Sequence, residues 1–582
     1  MRITRISLTN FRSFKETQTI ELAPVTLLFG PNSVGKSSVL MSLAYLLEIL
    51  ENGDCDPSRL KALDDRHVGG FRNLVHNRDT DERIKIRVEV NKVVDIGALY
   101  DTTTDYSEVR YGITSYNAAA DCETFEIELE IACDTSARVD EVYVAAFRVY
   151  LDDELVAEVS SDSGGKQPML TYINFDSHLL IADYDHDLRE EDETHVSELY
   201  RLLNRDGEGR KEEGPHEKNF DHKPIAINSG NGALPHLNKR IESTLMFDTL
   251  EENIAVHEVL SDVLVAPLDN LLAVLQASVC IGPLRTITDS KHLTSKSIRQ
   301  GDWYSGAAAW NVLQRDVYES WQPISNRVNK LIGANGLGLG YKLRSKISRG
   351  TAGYSDLEFH ENLRMKMIAD HTSALAKLEA IQGMVVIPED LDESRSITEL
   401  KEVVNSLEEI KQSLLDAADH VKESVSTKDT ANQEIILWDE SANLEVNASD
   451  VGVGVSQILP LVVAVASVKN GIISCEQPEL HVHPRIQVAL GDLVTQSKND
   501  CAMLLETHSE HLILRILRRI RETAEGELPD GRSEVFPHDV SIVYLNPSSQ
   551  GVTAKRIGIN TEGEFTEPWP SGFFAERREE LM

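Results

Sequence analysis

Gly30-Pro31-Asn32-Ser33-Val34-Gly35-Lys36-Ser37 is the stretch that decides the fold. It fits G-x-x-x-x-G-K-[ST], with Gly30, Gly35, Lys36 and Ser37 in the fixed places. The apolar run Val25 to Phe29 leads in as a buried strand. Ser38 to Leu50 leads out as a helix, with Leu40, Leu43, Leu47 and Leu50 at helical spacing. In that setting the glycines let backbone N–H groups curl around a phosphate, and the helix N-terminus adds partial positive charge. Lys36 is expected to reach the β- and γ-phosphates of ATP and Ser37 to ligate Mg²⁺. Asn32, Gly35 and Ser38 complete the nucleotide loop.

The rest of the composition bounds the answer. A chain of 582 residues with 41% hydrophobic content predicts two or three packed units. Its 58 Lys+Arg against 95 Asp+Glu give a net charge of −37, which excludes nucleic-acid binding through overall charge. None of the six cysteines forms a C-x-x-C pair, so neither a zinc site nor a disulfide framework is signalled. A reducing, cytoplasmic setting is expected. The N-terminus lacks a continuous apolar segment of the signal-peptide kind. No run approaches the roughly 18 apolar residues a spanning helix needs, so no membrane association is expected.

Upstream of the loop, Ile3 to Leu8 alternates like a strand, Asn10-Phe11-Arg12-Ser13-Phe14 reads as a turn, and Thr19 to Leu22 as a second strand. A strand, an N-F-R-S-F turn, two more strands and a G-x-N-x-x-G-K-S loop resemble the N-terminus of the RecF/SMC-like ABC ATPases. That group includes the overcoming-lysogenization-defect (OLD) ATPases. The resemblance implies an α/β P-loop ABC-type ATPase head of mixed sheet and helices, with an antiparallel β subdomain and a short helical-hairpin insertion. It also implies a polar residue after Gly69-Gly70-Phe71-Arg72 that senses the γ-phosphate, for which His76 is the candidate.

The middle is less explicit. Phe125 to Ile131, Glu141 to Leu151 and Met169 to Phe175 read as strands. Residues 183–222 are polar and acidic and read as a solvated loop. Leu237 to Ala277 reads as helical, ending in the turn Gly282-Pro283-Leu284-Arg285, and Trp303 to Ile332 reads as largely helical. Ile397, Leu400, Val404, Leu407, Leu414, Val421 and Val425 recur at steps of three and four. They predict a helix of roughly 40 Å at 1.5 Å per residue, with Leu363 to Ile381 as its partner. The expected organisation is therefore an N-terminal lobe over 1–180, an acidic loop over 181–235 and a linking segment over 236–350. A helical arm over 351–430 and a C-terminal lobe over 431–582 follow.

The second half of the site follows in order. Asp450-Val-Gly452-Val-Gly454-Val-Ser456-Gln457 opens an apolar helix and resembles the ABC signature loop. By that resemblance Gly452, Gly454, Ser456 and Gln457 meet the nucleotide bound on another subunit, which implies a homodimer or higher homo-oligomer. The apolar strand ending in Cys475-Glu476 has the Walker B pattern, so Glu476 is the expected Mg²⁺-side acid beside Ser37. Gln477 stands where most ABC-type ATPases carry a glutamate. An amide cannot take a proton as a base, so either Glu479 substitutes, the amide only positions water, or hydrolysis is slow. Ala502 to Leu505 is another buried strand, and Glu506-Thr507-His508-Ser509 after it resembles the switch-histidine motif, with His508 toward the γ-phosphate. Glu476, Gln477, Glu479 and His508 form the expected catalytic set. Arg515, Arg518 and Arg519 share a helix face that could meet DNA or pair with nearby glutamates.

E-Q-P-E-L-H-x-H-P (Glu476 to Pro484) resembles an OLD-like subset. In that subset no Toprim nuclease follows, and the chain after Leu545 is too short to hold one. The resemblance implies the sensing ATPase of an antiphage defence system beside a separate nuclease or toxin. A DNA-repair or chromosome-maintenance clamp that holds DNA directly is the alternative. A transporter subunit is disfavoured by the N-F-R-S-F start and the missing L-S-G-G-Q.

Overall fold

The computed structural model describes residues 1–64, 66–92, 122–135, 140–161, 167–174, 177, 179, 224–285, 298–317, 322–349, 351–355, 432–446, 450–496 and 501–569. Residues 181–223 of the expected acidic loop and the two helices expected between 363 and 425 lie outside these residues, while the loop's last part holds the strand Ile225–Ala226. The chain divides into two compact units. One comprises 1–286, 297–309 and 452–582, and the other comprises 287–296 and 310–451.

The first unit is built on a six-stranded sheet in the order Val279–Ile281, Ile472–Glu476, Ala502–Glu506, Val25–Phe29, Val540–Ser548, Gly551–Ile557. The first five strands are parallel and the last returns as a hairpin. Val25–Phe29, Ile472–Glu476 and Ala502–Glu506 are buried at every position. Unbroken apolar runs of this kind are what a parallel sheet covered on both faces requires. The sheet therefore interleaves the two ends of the chain. The strand before the P-loop sits directly beside the one that ends in Glu506, with the Walker B strand one place further out.

Beside it runs an eight-stranded antiparallel sheet from Gln18–Glu21 through Arg2–Thr9 and Ile84–Asn91 to Thr124–Asp134, Glu141–Leu151, Glu154–Ser161, Pro168–Ile173 and Ile225–Ala226. The three strands expected between 124 and 175 are present. A fourth, Glu154–Ser161, also forms there. Asp152 and Asp153 close its hairpin with φ of 48° and 66°, the left-handed pair that a two-residue hairpin turn needs. The Asp152 carboxylate accepts from the N–H groups of Glu123 and Thr124 and anchors that end.

Between 237 and 277 only Leu250–Leu264 and Ala266–Ala277 are helical; the stretch before them holds turns and an isolated bridge at Ser243. Ala266–Ala277 packs on the P-loop helix Lys36–Asn52, and Val279–Ile281 then pairs with the Walker B strand. This segment accordingly falls within the first unit.

The second unit holds a four-stranded antiparallel sheet in the order Thr351–Ser355, Tyr341–Arg349, Asn432–Asp439, Leu444–Val446. The segment expected to open a helical arm at 351 thus begins as a β-hairpin. The preceding alternation of Tyr341, Leu343, Ser345 and Ile347 favours a strand that carries its neighbour with it. Helix Pro323–Ile332 packs on it, its first turn capped by the Asp316 carboxylate on the N–H groups of Ile324 and Ser325. Among the described residues no helix is long and apolar enough to cross a membrane.

Candidate nucleotide site

The P-loop glycines are fixed by crowding. Gly35 has φ of 115°, and a Cβ there would lie 2.0 Å from Ser13 Oγ. Gly30 has φ of 144°, and a Cβ would meet Leu545 O at 2.5 Å. Both backbones are left-handed positions that only glycine takes without strain. Ser13 comes from the N-F-R-S-F turn, whose work is therefore to wall the loop. Arg12 N–H donates to Leu74 O, and its guanidinium reaches Met41 Sδ at 3.0 Å.

Lys36 is 3% exposed and curls back over the loop, donating to Gly30 O at 3.0 Å and Pro31 O at 2.9 Å. Burial depresses its pKa, opposed by the nearby carboxylates of Glu506 and Glu479. Ser37 Oγ donates to Glu506 Oε2 at 2.6 Å, and Lys36 Nζ lies 3.8 Å from Glu506 Oε1.

These residues open into a cleft of about 490 Å³ lined by Arg12, Lys36, Arg66 and Arg78 on the cationic side and Glu506 as its acid. Four cations against one acid, in a chain of net charge −37, mark this cleft as a place for a polyanion. Burial, with the like charge of Arg66 next, depresses the Arg12 pKa. The sequence reading named only Lys36 among the four. Arg12 was legible inside the N-F-R-S-F run; Arg66 sits in the two-residue strand Arg66–His67 and Arg78 in the single helical turn His76–Arg78, neither with a pattern of its own. His76 does not line the cleft. Its ring bonds to the Arg12 carbonyl at 2.7 Å, and Val75, Asn77 and Arg78 beside it supply the wall. Asn32 is exposed at the loop tip.

Glu476 and Glu506 end neighbouring parallel strands in direct register. Glu476 Oε1 accepts from the Tyr304 hydroxyl at 3.1 Å, and that hydroxyl in turn accepts from Arg66 Nη1 at 3.1 Å. Burial first and Glu506 second raise the Glu476 pKa; Tyr304 and Ser37 pull the other way. Neither Tyr304 nor Glu506 was assigned from sequence. A tyrosine in a short helix carries no signal. Glu506 stood in plain view inside E-T-H-S, where the histidine drew the reading.

Glu479 Oε1 accepts the His508 N–H at 2.6 Å. Its other oxygen, Oε2, and the His508 ring nitrogen Nε2 are both buried without a hydrogen-bond partner. Burial raises the Glu479 pKa and lowers that of His508, which also feels Lys36. Two orphaned polar atoms beside the P-loop lysine are the kind of pair a bound phosphate or water would satisfy. Ser37 with two carboxylates is also a hard, all-oxygen set of the type Mg²⁺ takes. Gln477 N–H donates to Glu506 O at 2.8 Å, and its backbone is left-handed, with φ of 45°.

The signature-like loop is only partly offered outward. Gly452 and Val453 are exposed at the start of helix Val453–Ser467. A Cβ on Gly454 would meet His481 O at 2.7 Å, so this glycine allows the two loops to touch. Ser456 and Gln457, read from sequence as nucleotide contacts, turn inward. Ser456 Oγ donates to Val453 O at 2.8 Å. Gln457 spends its amide on Arg285, accepting its N–H at 3.2 Å and donating to its O at 2.8 Å. What this helix end presents is backbone N–H, not those side chains. Arg285 itself is structural, donating to Gln457 O, Gly282 O, Glu476 O and Cys475 Sγ. Arg519 and Arg515 face Asp492, and Arg518 pairs with Glu522, so this basic face is paired within the chain. At the C-terminal end, Trp569 packs edge-on against Phe29, the residue before the loop.

The family model described as AAA ATPase domain matches residues 1–192 and 353–513, more than half of the chain. A search of curated proteins finds no match. Among solved structures, an SMC head bound to the C-winged helix domain of ScpA is 8% identical. The match covers 96% of this chain and 98% of that one at a TM-score of 0.35. The SMC head domain from Thermotoga maritima is 9% identical, covering 96% and 100% at a TM-score of 0.32. The P-loop, the acids at the ends of its neighbouring strands and the family match agree: this chain belongs to the AAA ATPase domain family, a P-loop ATPase of mixed α/β fold.

Proposed function

We propose that the chain binds ATP with Mg²⁺ in the Arg12–Lys36–Arg66–Arg78 cleft and hydrolyses it slowly. The observation that carries this reading is the cationic P-loop cleft lined by Glu506, which ends its strand in register with Glu476, and the orphaned atoms Glu479 Oε2 and His508 Nε2. Lys36 and the P-loop N–H groups hold the phosphates, while Ser37, Glu476 and Glu506 are the residues that would hold the cation. When bound, Mg²⁺ would neutralise charge on the β- and γ-phosphates. His508, kept neutral by burial, is suited to donate or accept one hydrogen bond at the γ-phosphate. Glu479, whose pKa burial raises above its ordinary value, is the base of choice because Gln477 can orient water but not deprotonate it.

The exposed start of helix Val453–Ser467 supports a homodimer or higher homo-oligomer in which Gly452–Gly454 of one copy faces the nucleotide of another. The E-Q-P-E-L-H-x-H-P and E-T-H-S runs resemble those of the OLD-like subset. We read its role as the sensing ATPase of an antiphage system with a separate nuclease or toxin. The internal pairing of Arg515, Arg518 and Arg519 and the acidic balance weigh against the rival DNA clamp. Tagged chain expressed with its neighbouring genes and purified in ATP and in ADP tests this. A stoichiometric effector whose retention depends on nucleotide supports the sensor; a lone ATPase that elutes with DNA replaces it with the clamp.

A further inference from the structure

We infer that Glu506, the acid ending the strand between the P-loop and Walker B strands, is a cation-side carboxylate in its own right. In this role it aligns Ser37 and shares the Mg²⁺ with Glu476. The inference rests on the ATP-binding reading above and deepens it.

Position comes first. The strand Ala502–Glu506 lies between Val25–Phe29 and Ile472–Glu476, so its last side chain is closer to the P-loop than the Walker B acid is. The contacts follow that placement. Ser37 Oγ donates to Glu506 Oε2 at 2.6 Å, and Lys36 Nζ stands 3.8 Å from Oε1. Glu506 also lines the cleft, whereas Glu476 is drawn back by Tyr304 OH at 3.1 Å.

Chemistry gives the reason. Two carboxylates at adjacent strand ends, each about 7% exposed, repel one another in a poorly solvated place. A lysine relieves part of this, but Lys36 is also needed by phosphate. When phosphates draw Lys36 away, the pair is left with excess negative charge next to an oxygen-rich anion. A divalent cation held by Ser37 and both acids balances it. A purely structural carboxylate would not have to sit at the mouth of a polyanion cleft, where in the absence of a cation it opposes binding.

That opposition supplies the test. Glu506→Gln keeps shape and hydrogen-bonding reach but removes the charge. ATP affinity is measured by titration calorimetry for the full chain, wild type and variant, in EDTA and across a Mg²⁺ series. The expected result is a crossing: the variant binds ATP as well as or better than wild type in EDTA, while the Mg²⁺-dependent gain in affinity falls at least tenfold. Mn²⁺ binding followed by electron paramagnetic resonance in the presence of ADP should weaken in parallel. Loss of affinity by the same factor with and without Mg²⁺ would mean a structural role and overturn the inference, as would a wild-type Mg²⁺ gain in the variant. If the amide folds poorly, Glu506→Asp carries the same comparison. It keeps the charge and withdraws it by one methylene; a reduced Mg²⁺ gain supports the assignment and an unchanged one overturns it. A wild-type chain that binds no ATP at any Mg²⁺ concentration sinks the ATPase reading and this inference together. A wild type with a Mg²⁺ gain that the variants share sinks this inference alone.

Discussion

Replacing Arg285 with Met removes a buried cation while keeping most of its volume, so little cavity is added to the effect. The guanidinium donates to Gln457 O at 2.6 Å, Glu476 O at 2.8 Å, Gly282 O at 2.9 Å and Cys475 Sγ at 3.0 Å. The backbone exchange between Arg285 and the Gln457 amide survives the change, so the turn itself is not removed. Three carbonyls lose partners in a place 4% exposed. At about 1–3 kcal/mol for each buried group left unsatisfied, the loss is roughly 3–9 kcal/mol. The first unit spans 1–286, 297–309 and 452–582. For a body of roughly 400 residues, about 1 kcal/mol moves the melting temperature by about 1 °C. A drop of about 3–9 °C in Tm, read by calorimetry on nucleotide-free protein, is expected. A drop under about 1 °C with unchanged circular dichroism would show that water re-pairs those carbonyls, and the view of Arg285 as the brace of this turn would be wrong.

Lys36→Ala removes the lysine of the cleft and should weaken ATP binding at least tenfold in a fluorescence titration, the loss expected of one charge-assisted contact of about 1.5–3 kcal/mol. Unchanged affinity would refute the site. Glu476→Gln should raise the Tm of the nucleotide-free chain at pH 7. Burial and Glu506 hold the Glu476 pKa above its ordinary value, so the folded state prefers the protonated acid. That preference stabilises below the unfolded carboxylate range, near about pH 4.3, and is lost as pH rises through the folded value. The gain from the amide should therefore shrink toward zero as melts approach pH 4; a gain that is constant with pH would count against the assignment.

How much of this was legible depends on whether a residue's role was local in sequence. The loop Gly30 to Ser37, its strand and its helix announce themselves, because glycine placement and helical spacing are local rules. The buried strands ending in Glu476 and Glu506 were legible for the same reason. What faces them was not. Tyr304 reaches Glu476 only because Val279–Ile281 pairs with the Walker B strand and carries the following segment there. Arg66 reaches the cleft from the two-residue strand Arg66–His67, and Gln457 turned inward because Arg285, far away in sequence, offers its backbone to both ends of the amide. The hairpin strand Glu154–Ser161 was missed because two aspartates, not Asn-Gly, supply its left-handed turn.

Gln477 is where the sequence and the backbone meet. Its φ of 45° is a left-handed conformation costing a non-glycine residue roughly 1 kcal/mol. The strain is held in place by the N–H bond to Glu506 O and by Leu480 N–H closing the turn onto Gln477 O at 3.1 Å. A glycine here would relieve the strain but give back a similar amount in unfolded-chain entropy. Gln477→Gly should therefore leave Tm within about 2 °C of wild type, while removing the one amide that follows the Walker B acid. If that amide orients water, steady-state phosphate release should fall at least tenfold with ATP affinity intact. Gln477→Glu, which adds a base at the same place, should raise it. Turnover that survives the glycine would mean that the strained backbone serves only to pass the chain from Glu476 to Glu479, leaving Glu479 and His508 to manage water alone. The two variants share a backbone site and differ only in what they offer to solvent, so opposite changes in rate at constant affinity are a result that altered folding cannot imitate.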